Sequence, residues 1–242
     1  MKQREKKSII QKILFTVLCV MFLFTCCNRN RIMISGVIEN YDKSCFVLRQ
    51  ILPDEVISID TILVLNGKFS YGLKSNQVGI YLLQFDDTLF TSFIVNSGDK
   101  LVFYADANNL KQTYNMQGNE ETKLLIENQR KLEQLYQKTK LLSDRFIQSV
   151  YKDNFDSLIC VLDSMYAVNF DNHKKYLTDF ILSHPDKLAS LMAFYQSLGN
   201  NAFFSMEEDS KLLETIYPVL SKTYPNSIYI DDLKEKLAKS DD

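Results

Sequence analysis

Cys45 and Cys160 are widely separated in a chain of 242 residues, and their thiols are the side chains best suited to chemistry. A thiolate is a nucleophile and a redox group, and an oxidising compartment lets two thiols pair or form mixed disulfides. Neither cysteine belongs to a C-x-x-C motif, so no thioredoxin-type dithiol or zinc knuckle is written here. In CFVLRQIL, Cys45 alternates with Val47 and Arg49 while Phe46 and Leu48 form the greasier face, which places Cys45 near the surface. Cys160 shares a helix flank with Asp156 and Asp163. Lone cysteines often serve as small apolar fillers, and that reading is favoured over the redox one.

Histidine and carboxylate chemistry is equally sparse. His173 falls on an apolar helical stripe between Phe170 and Leu177, with no acid or cysteine at i±3 or i±4 to complete a metal site, so it reads as a packed histidine. His184 precedes Pro185 and reads as a loop residue, because proline pushes its predecessor out of the helical region. Acids come in runs, Asp86-Asp87, Glu120-Glu121, Glu207-Glu208-Asp209 and Asp231-Asp232. Three of these runs stand at helix starts, where negative charge complements the dipole. Paired acid–base work needs two carboxyls across a cleft, not neighbours in sequence. No phosphate loop, G-x-S-x-G, H-E-x-x-H or EF-hand pattern is present. The expectation is a protein that is not an enzyme and needs no metal or cofactor.

The remaining chemistry lies in LFTCCNRN, residues 23–30. A basic start with Lys2, Arg4, Lys6, Lys7 and Lys12 precedes the apolar run Ile13–Phe24. That run is short of the roughly 20 residues a membrane span needs and matches a signal-peptide core. A vicinal Cys26–Cys27 disulfide is disfavoured by the ~3.8 Å between neighbouring Cα atoms. Leu23-Phe24-Thr25-Cys26 resembles the lipobox of bacterial lipoproteins, with Phe24 and Thr25 looser than the usual small residues. The resemblance implies a signal peptide over 1–25, lipid attachment at Cys26 and a tether over 26–31. No acid follows Cys26 in Cys27-Asn28-Arg29-Asn30-Arg31, and by the same resemblance the protein is expected on the outer membrane, facing the periplasm.

Without residues 1–25 the chain has 217 residues, 23 basic and 29 acidic, a net charge of −6. An acidic body excludes nucleic acid as an expected partner. Few Gly and Pro, with 12% aromatics, describe ordered structure with a sizeable core.

Two periods organise that core. Over 32–117 short alternating runs predict six or seven strands, an antiparallel β-sandwich or partly open barrel. Asn66-Gly67 between TILVL and KFSYGL predicts a type I′ hairpin, and NSGDK a hairpin with a longer loop. Tyr71, Tyr81 and Tyr104 are the aromatics a glycan or small ligand would use, although core packing explains them as well. Over 118–242 the period becomes helical. Leu125, Leu132, Leu135, Leu142, Phe146 and Val150 mark one long helix, and Phe155 to Phe180 a second. Lys152-Asp153-Asn154 between them predicts an antiparallel helix hairpin. Pro185 should open a third helix that Gly199-Asn200-Asn201 closes. Ser205-Met206-Glu207-Glu208 caps a fourth, and a fifth follows Pro225-Asn226 to end near Lys239. The fold class is therefore α+β.

The segments ISGVIEN, SIDTILVLNGKFSYGL, GIYLLQF and FIVNSGDKLVFYAD, followed by MQGNEETKLL and SHPDKLASLMAF, resemble a domain of unknown function with its helical spacer. That domain occurs in Gram-negative lipoproteins, usually ahead of a thioredoxin-like module in envelope thiol–disulfide oxidoreductases. The resemblance covers roughly residues 32–235 and rests on turn glycines and apolar positions. The chain stops at Asp242, where the thioredoxin module and its C-x-x-C would begin, so no catalytic residue is carried over. The implied function is a lipid-anchored accessory module with a protein partner in the envelope, tied to thiol–disulfide or quality-control processes. The alternative is a redox protein using Cys45 and Cys160.

Overall fold

The computed structural model describes residues 31–240 apart from Thr88 and residues 151–154. The leader, Cys26 and the Lys152-Asp153-Asn154 connection lie outside the described residues.

The fold is α+β. Eight strands come first: β1 Arg31–Glu39, β2 Cys45–Ile51, β3 Val56–Leu63, β4 Lys68–Lys74, β5 Gly79–Gln84, β6 Phe90–Val95, β7 Lys100–Asp106 and β8 Asn115–Gln117. They form two four-stranded sheets, ordered β4-β1-β7-β8 and β3-β2-β5-β6. Alternation decides their faces: Ile32, Ile34 and Ile38 of β1, and Phe46 and Leu48 of β2, are buried between the sheets. Partners are another matter. β1 pairs with β7 in parallel, so the first sheet is mixed rather than purely antiparallel.

Both predicted hairpin turns exist, but each carries the chain from one sheet to the other. Asn66 and Gly67 have φ of 51° and 72°, as a type I′ turn requires. Leu65 and Lys68 exchange backbone hydrogen bonds of 2.9 and 3.0 Å. Beyond that bridge β3 and β4 diverge into different sheets. Asn96–Asp99 likewise links β6 to β7 across the sandwich, with Gly98 at φ 86°. Turn chemistry sets the local reversal; burial of both inner faces sets the partner.

The sheets do not close into a barrel. On one side the edges of β6 and β8 are sealed by a helix. After the short α1 (Leu110–Thr113), α2 (Glu120–Ser149) lies along that side. The Thr122 hydroxyl donates to the Ile94 carbonyl (2.6 Å) and accepts from the Ile94 N–H (3.1 Å). Asn119, the α2 N-cap, also donates to the Ile94 carbonyl (2.8 Å). These bonds occupy an edge strand that would otherwise offer unpaired backbone, while Ile126 enters the sandwich core.

The rest is helical: α3 (Phe155–Ser183), α4 (Leu188–Phe194), α5 (Met206–Thr223) and α6 (Ile228–Ser240). The third predicted helix is shorter than expected. Pro185 sits in the turn before α4, and Gly199-Asn200 turns a small hairpin, β9 (Ser197–Leu198) with β10 (Asn201–Ala202). Seven residues suffice because α4 is buried almost throughout. The capping serine of α5 behaves as expected, Ser205 Oγ accepting from the Glu208 N–H (3.2 Å). The reciprocal acceptor, however, is Asp209, which takes the Ser205 N–H (3.0 Å).

Buried side chains form two clusters, one inside the sandwich and one among the helices. Ile80 and Ile94 of the second sheet belong to the helical cluster, so the strand half and the helix half share a core. Tyr229 of α6 ties them, its hydroxyl donating to the Ile51 carbonyl (2.6 Å) and accepting from the Ile80 N–H (3.0 Å).

Candidate functional site

The α2–α3 hairpin is the element that the rest of the molecule uses least completely. α2 has 30 residues, about 45 Å at ~1.5 Å per residue. Only its first part rests on the strands. Thr122 lies against Ile94, and Gln129 Nε2 donates to Ser92 Oγ (2.9 Å), so α2 runs opposite to β6. β1 starts beside the start of β7, with Met33 N donating to the Asp99 carbonyl (2.9 Å). The end where the chain enters the sandwich at Arg31 is therefore the end where α2 begins. α2 then leads away from it.

Arg130, donating to the Tyr114 carbonyl (3.2 Å), is the last residue of α2 with a hydrogen bond to the strand half among the described residues. Past it, Leu135 and Leu142 of α2 and Leu162 of α3 form a buried seam. The flanks of the seam carry exposed apolar side chains. Tyr136, Phe146, Ile147 and Val150 are exposed on one helix and Val161, Met165 and Val168 on the other. Ile147 is 65% exposed, where Leu142 one turn and a half away is 8% exposed. The apolar stripe read from the sequence continues outward after the covering elements stop.

A cleft of about 460 Å³ lies along one flank. Tyr136, Phe146 and Tyr166 wall it, Leu142 and Leu162 form its floor, and Lys140 and Asp163 stand at its rim. Tyr166 is held by a bond from Asn201 Nδ2 to its hydroxyl (3.1 Å) and by stacking on Phe170 at 6.2 Å. The surface is apolar between one cation and one anion.

The thiols are not brought together. Cys45 starts β2 and is half-buried, Cys160 is exposed on α3, and both are free. Cys160 lines a separate shallow apolar depression with Val161, Met165 and Val168. The tyrosines are divided as well. Tyr71 and Tyr81 face the sandwich interior, Tyr81 stacking on Phe93 at 5.9 Å, whereas Tyr104 is exposed on the outer face of β7. No single face presents all three.

His173 is buried, its Nε2 2.8 Å from Gln196 Oε1 and its ring 4.7 Å from that of Phe203. Burial lowers its pKa, and the Gln196 bond opposes this. His184 sits just past α3, its Nδ1 2.9 Å from the Phe180 carbonyl and its ring on that of Phe180 at 4.5 Å. Among the described residues no group of three His, Cys, Asp or Glu side chains could hold a metal ion.

One carboxylate departs from the dipole-and-solvent expectation. Glu121, in the first turn of α2, is buried. Its two oxygens accept from the Leu188 and Ala189 N–H groups, both at 2.9 Å, and the Tyr224 hydroxyl donates to it. Burial raises its pKa, opposed by Tyr224, by the two N–H groups and by Lys187. The acid complements a helix start, but that of α4 rather than its own. Nothing in the Glu-Glu pair separates the role of Glu121 from that of exposed Glu120, which pairs with Lys187 at 2.7 Å.

No protein-family model matches the sequence, and no curated protein matches it. Among solved structures, it is similar to a protein provisionally assigned to cell adhesion from Bacteroides ovatus, at 12% identity and a TM-score of 0.27. The match covers 38% of this chain and 44% of that one, so this chain spans less than half the length of that neighbour.

Proposed function

We propose that this protein is a lipid-anchored interaction module of the cell envelope, attached through Cys26 and without catalytic activity of its own. Its partner is an envelope protein handled in thiol–disulfide or quality-control processes, and it faces the periplasm from the outer membrane. The observation that carries this reading is the outer half of the α2–α3 hairpin, where apolar side chains continue past the end of the shared core. The tether residues Cys27–Arg31 reach at most about 15–18 Å. They hold the strand end near the membrane while α2 leads the exposed apolar flank away from it.

The test is affinity isolation of the tagged protein from its own membranes, thiols trapped by alkylation, with mass spectrometry of what is retained. A partner kept by the wild type in reductant, kept by the double Cys45→Ser/Cys160→Ser variant and lost by Ile147→Asp supports docking through the hairpin. The redox alternative keeps one supporting observation, the exposed free thiol of Cys160. Under that reading the partner disappears on adding reductant and from the double serine variant.

A further inference from the structure

We propose that the corner of the first sheet where the chain enters, formed by Arg31, Lys74 and Lys100, rests on anionic phospholipid headgroups of the membrane that carries the anchor. The inference rests on the reading of Cys26 as the lipid attachment and adds the orientation in which the anchored protein stands. Register sets the outward residues of the sheet in rows. Arg31 is opposite Lys74, and in the next row Met33 stands between Gly72 and Lys100. All three cations are exposed on the face turned away from the sandwich core, since their neighbours Ile32, Leu73 and Leu101 point inward and are buried. A Cβ added at Gly72 would lie 2.1 Å from Arg31 Nε, so the guanidinium lies along the sheet surface over a residue without a side chain. Like charges directly opposite one another destabilise a strand pair, and Arg31 and Lys74 are such a pair. None of the three has an ion-pair partner among the described residues. Edge-strand lysines guard against unwanted pairing, which accounts for Lys74 but not for Arg31 and Lys100 on the two central strands.

The acids lie elsewhere or are engaged. On this face Glu39 and Asp106 stand opposite each other at the far end of β1 and β7, about 26 Å from Arg31 at ~3.3 Å per residue. Lys68, opposite Val37, is close to that end as well. Asp99, next to Lys100, accepts from the Asn96 N–H (2.8 Å) and from Asn119 Nδ2. Glu120 pairs with Lys187, and Asp54 and Glu55 turn β2 into β3 in the second sheet. Glu127 shares the cleft beside β8 with Lys123 and Arg130. The face is thus basic where the chain enters and acidic at the far end. The occupant follows from where the chain goes. Residues Cys27–Arg31 include a further cation, Arg29, and are too short to let the corner leave the surface to which Cys26 is fixed. The chain is acidic overall, but physiological salt screens charges beyond ~8 Å, so the lipid meets the nearest cations rather than the net charge. Each Lys or Arg at an anionic lipid surface contributes about fivefold in partition, hence about a hundredfold for three. Acids at the far end are held off the same surface, which stands the strands up from the membrane and agrees with α2 leading away from it.

The experiment reconstitutes the full-length protein, isolated from its own membranes, into vesicles of phosphatidylcholine alone or with about one-third phosphatidylglycerol. Acetylation of its lysines by a water-soluble reagent is read residue by residue by mass spectrometry. Lys74 and Lys100 should react about threefold or more slowly on the anionic vesicles, while Lys43 and Lys111, beyond the far ends of β1 and β7, react equally on both. Salt at about 0.5 M should remove the difference. Equal reactivity of Lys74 and Lys100 on the two vesicles overturns the proposal, as does equal slowing of the far-end lysines. Slowing in native membranes alone overturns it in favour of another anionic macromolecule. If the protein washes off the phosphatidylcholine vesicles, the Cys26 reading falls. The contact then stands only on salt-reversible retention by the anionic vesicles that the triple variant Arg31→Glu/Lys74→Glu/Lys100→Glu abolishes, and falls without it. Loss of an envelope partner by Ile147→Asp is independent of all these outcomes.

Discussion

Glu121 and His173 are both buried and titratable, and they pull stability in opposite directions with pH. Glu121→Ala strands the Leu188 and Ala189 N–H groups and the Tyr224 hydroxyl. A buried unpaired donor costs about 1–3 kcal/mol, and three sharing one site should together cost about 3–5 kcal/mol in urea unfolding at neutral pH. Because burial raises the Glu121 pKa from 4.5, its protonated form is the one folding favours. Its contribution is fullest below 4.5 and is lost as pH rises through the raised folded value. The stability of wild type relative to Glu121→Gln should therefore fall as pH increases from 4.5. His173 has the opposite sign. Burial lowers its pKa from 6.5, so its contribution is present above 6.5 and lost as pH falls through the lowered folded value. Wild type should lose more stability than His173→Gln between pH 7.5 and 5, measured by denaturant midpoints.

Apolar residues of one helix have two fates at the scale of elements. Leu142 and Ile147 both belong to α2, yet one lies in the seam with α3 and the other outside any core. Leu142→Ala should cost about 2–4 kcal/mol through the cavity it opens. Ile147→Ser should change the stability of the isolated chain by less than about 0.5 kcal/mol. Comparing the two in thermal melts separates an apolar residue kept for packing from one that packing does not need. The junction ahead of α2 is stricter. Gly118 has φ 139°, and an added Cβ would strike the Lys100 carbonyl of β7. Gly118→Ala should destabilise by more than about 1 kcal/mol, because both the left-handed backbone and the close approach of β7 exclude a side chain.

At the scale of the whole molecule, neither half is complete alone. Ile126 of α2 lies in the sandwich core, and Ile80 and Ile94 lie in the helical one. A chain ending at Gly118 would leave the β6 and β8 edges open and remove Tyr229 from Ile51 and Ile80. It should show no cooperative thermal transition, and should bind a hydrophobic dye that the longer chain does not. A cooperative transition in that fragment would mean that the sandwich stabilises itself without the helix.

What was legible in the sequence was local. The period of two exposed the inward residues of β1 and β2, the three-four spacing exposed the long hairpin, and Asn66-Gly67 and Ser205 named a turn and a cap, because each depends on neighbours a few residues away. The short α4 was misread because a seven-residue helix buried nearly all round carries no amphipathic pattern, and Pro185 and Gly199 fit a longer one equally well. Tertiary structure alone decided that β1 pairs with β7, that Asn66-Gly67 changes sheets, and that Glu121 serves the start of α4. It also decided where along α2 and α3 burial stops. Alternation and spacing say which side of an element is apolar, but they do not say what covers it. That depends on elements distant in sequence, which leave Ile147 of α2 and Val161 and Val168 of α3 exposed.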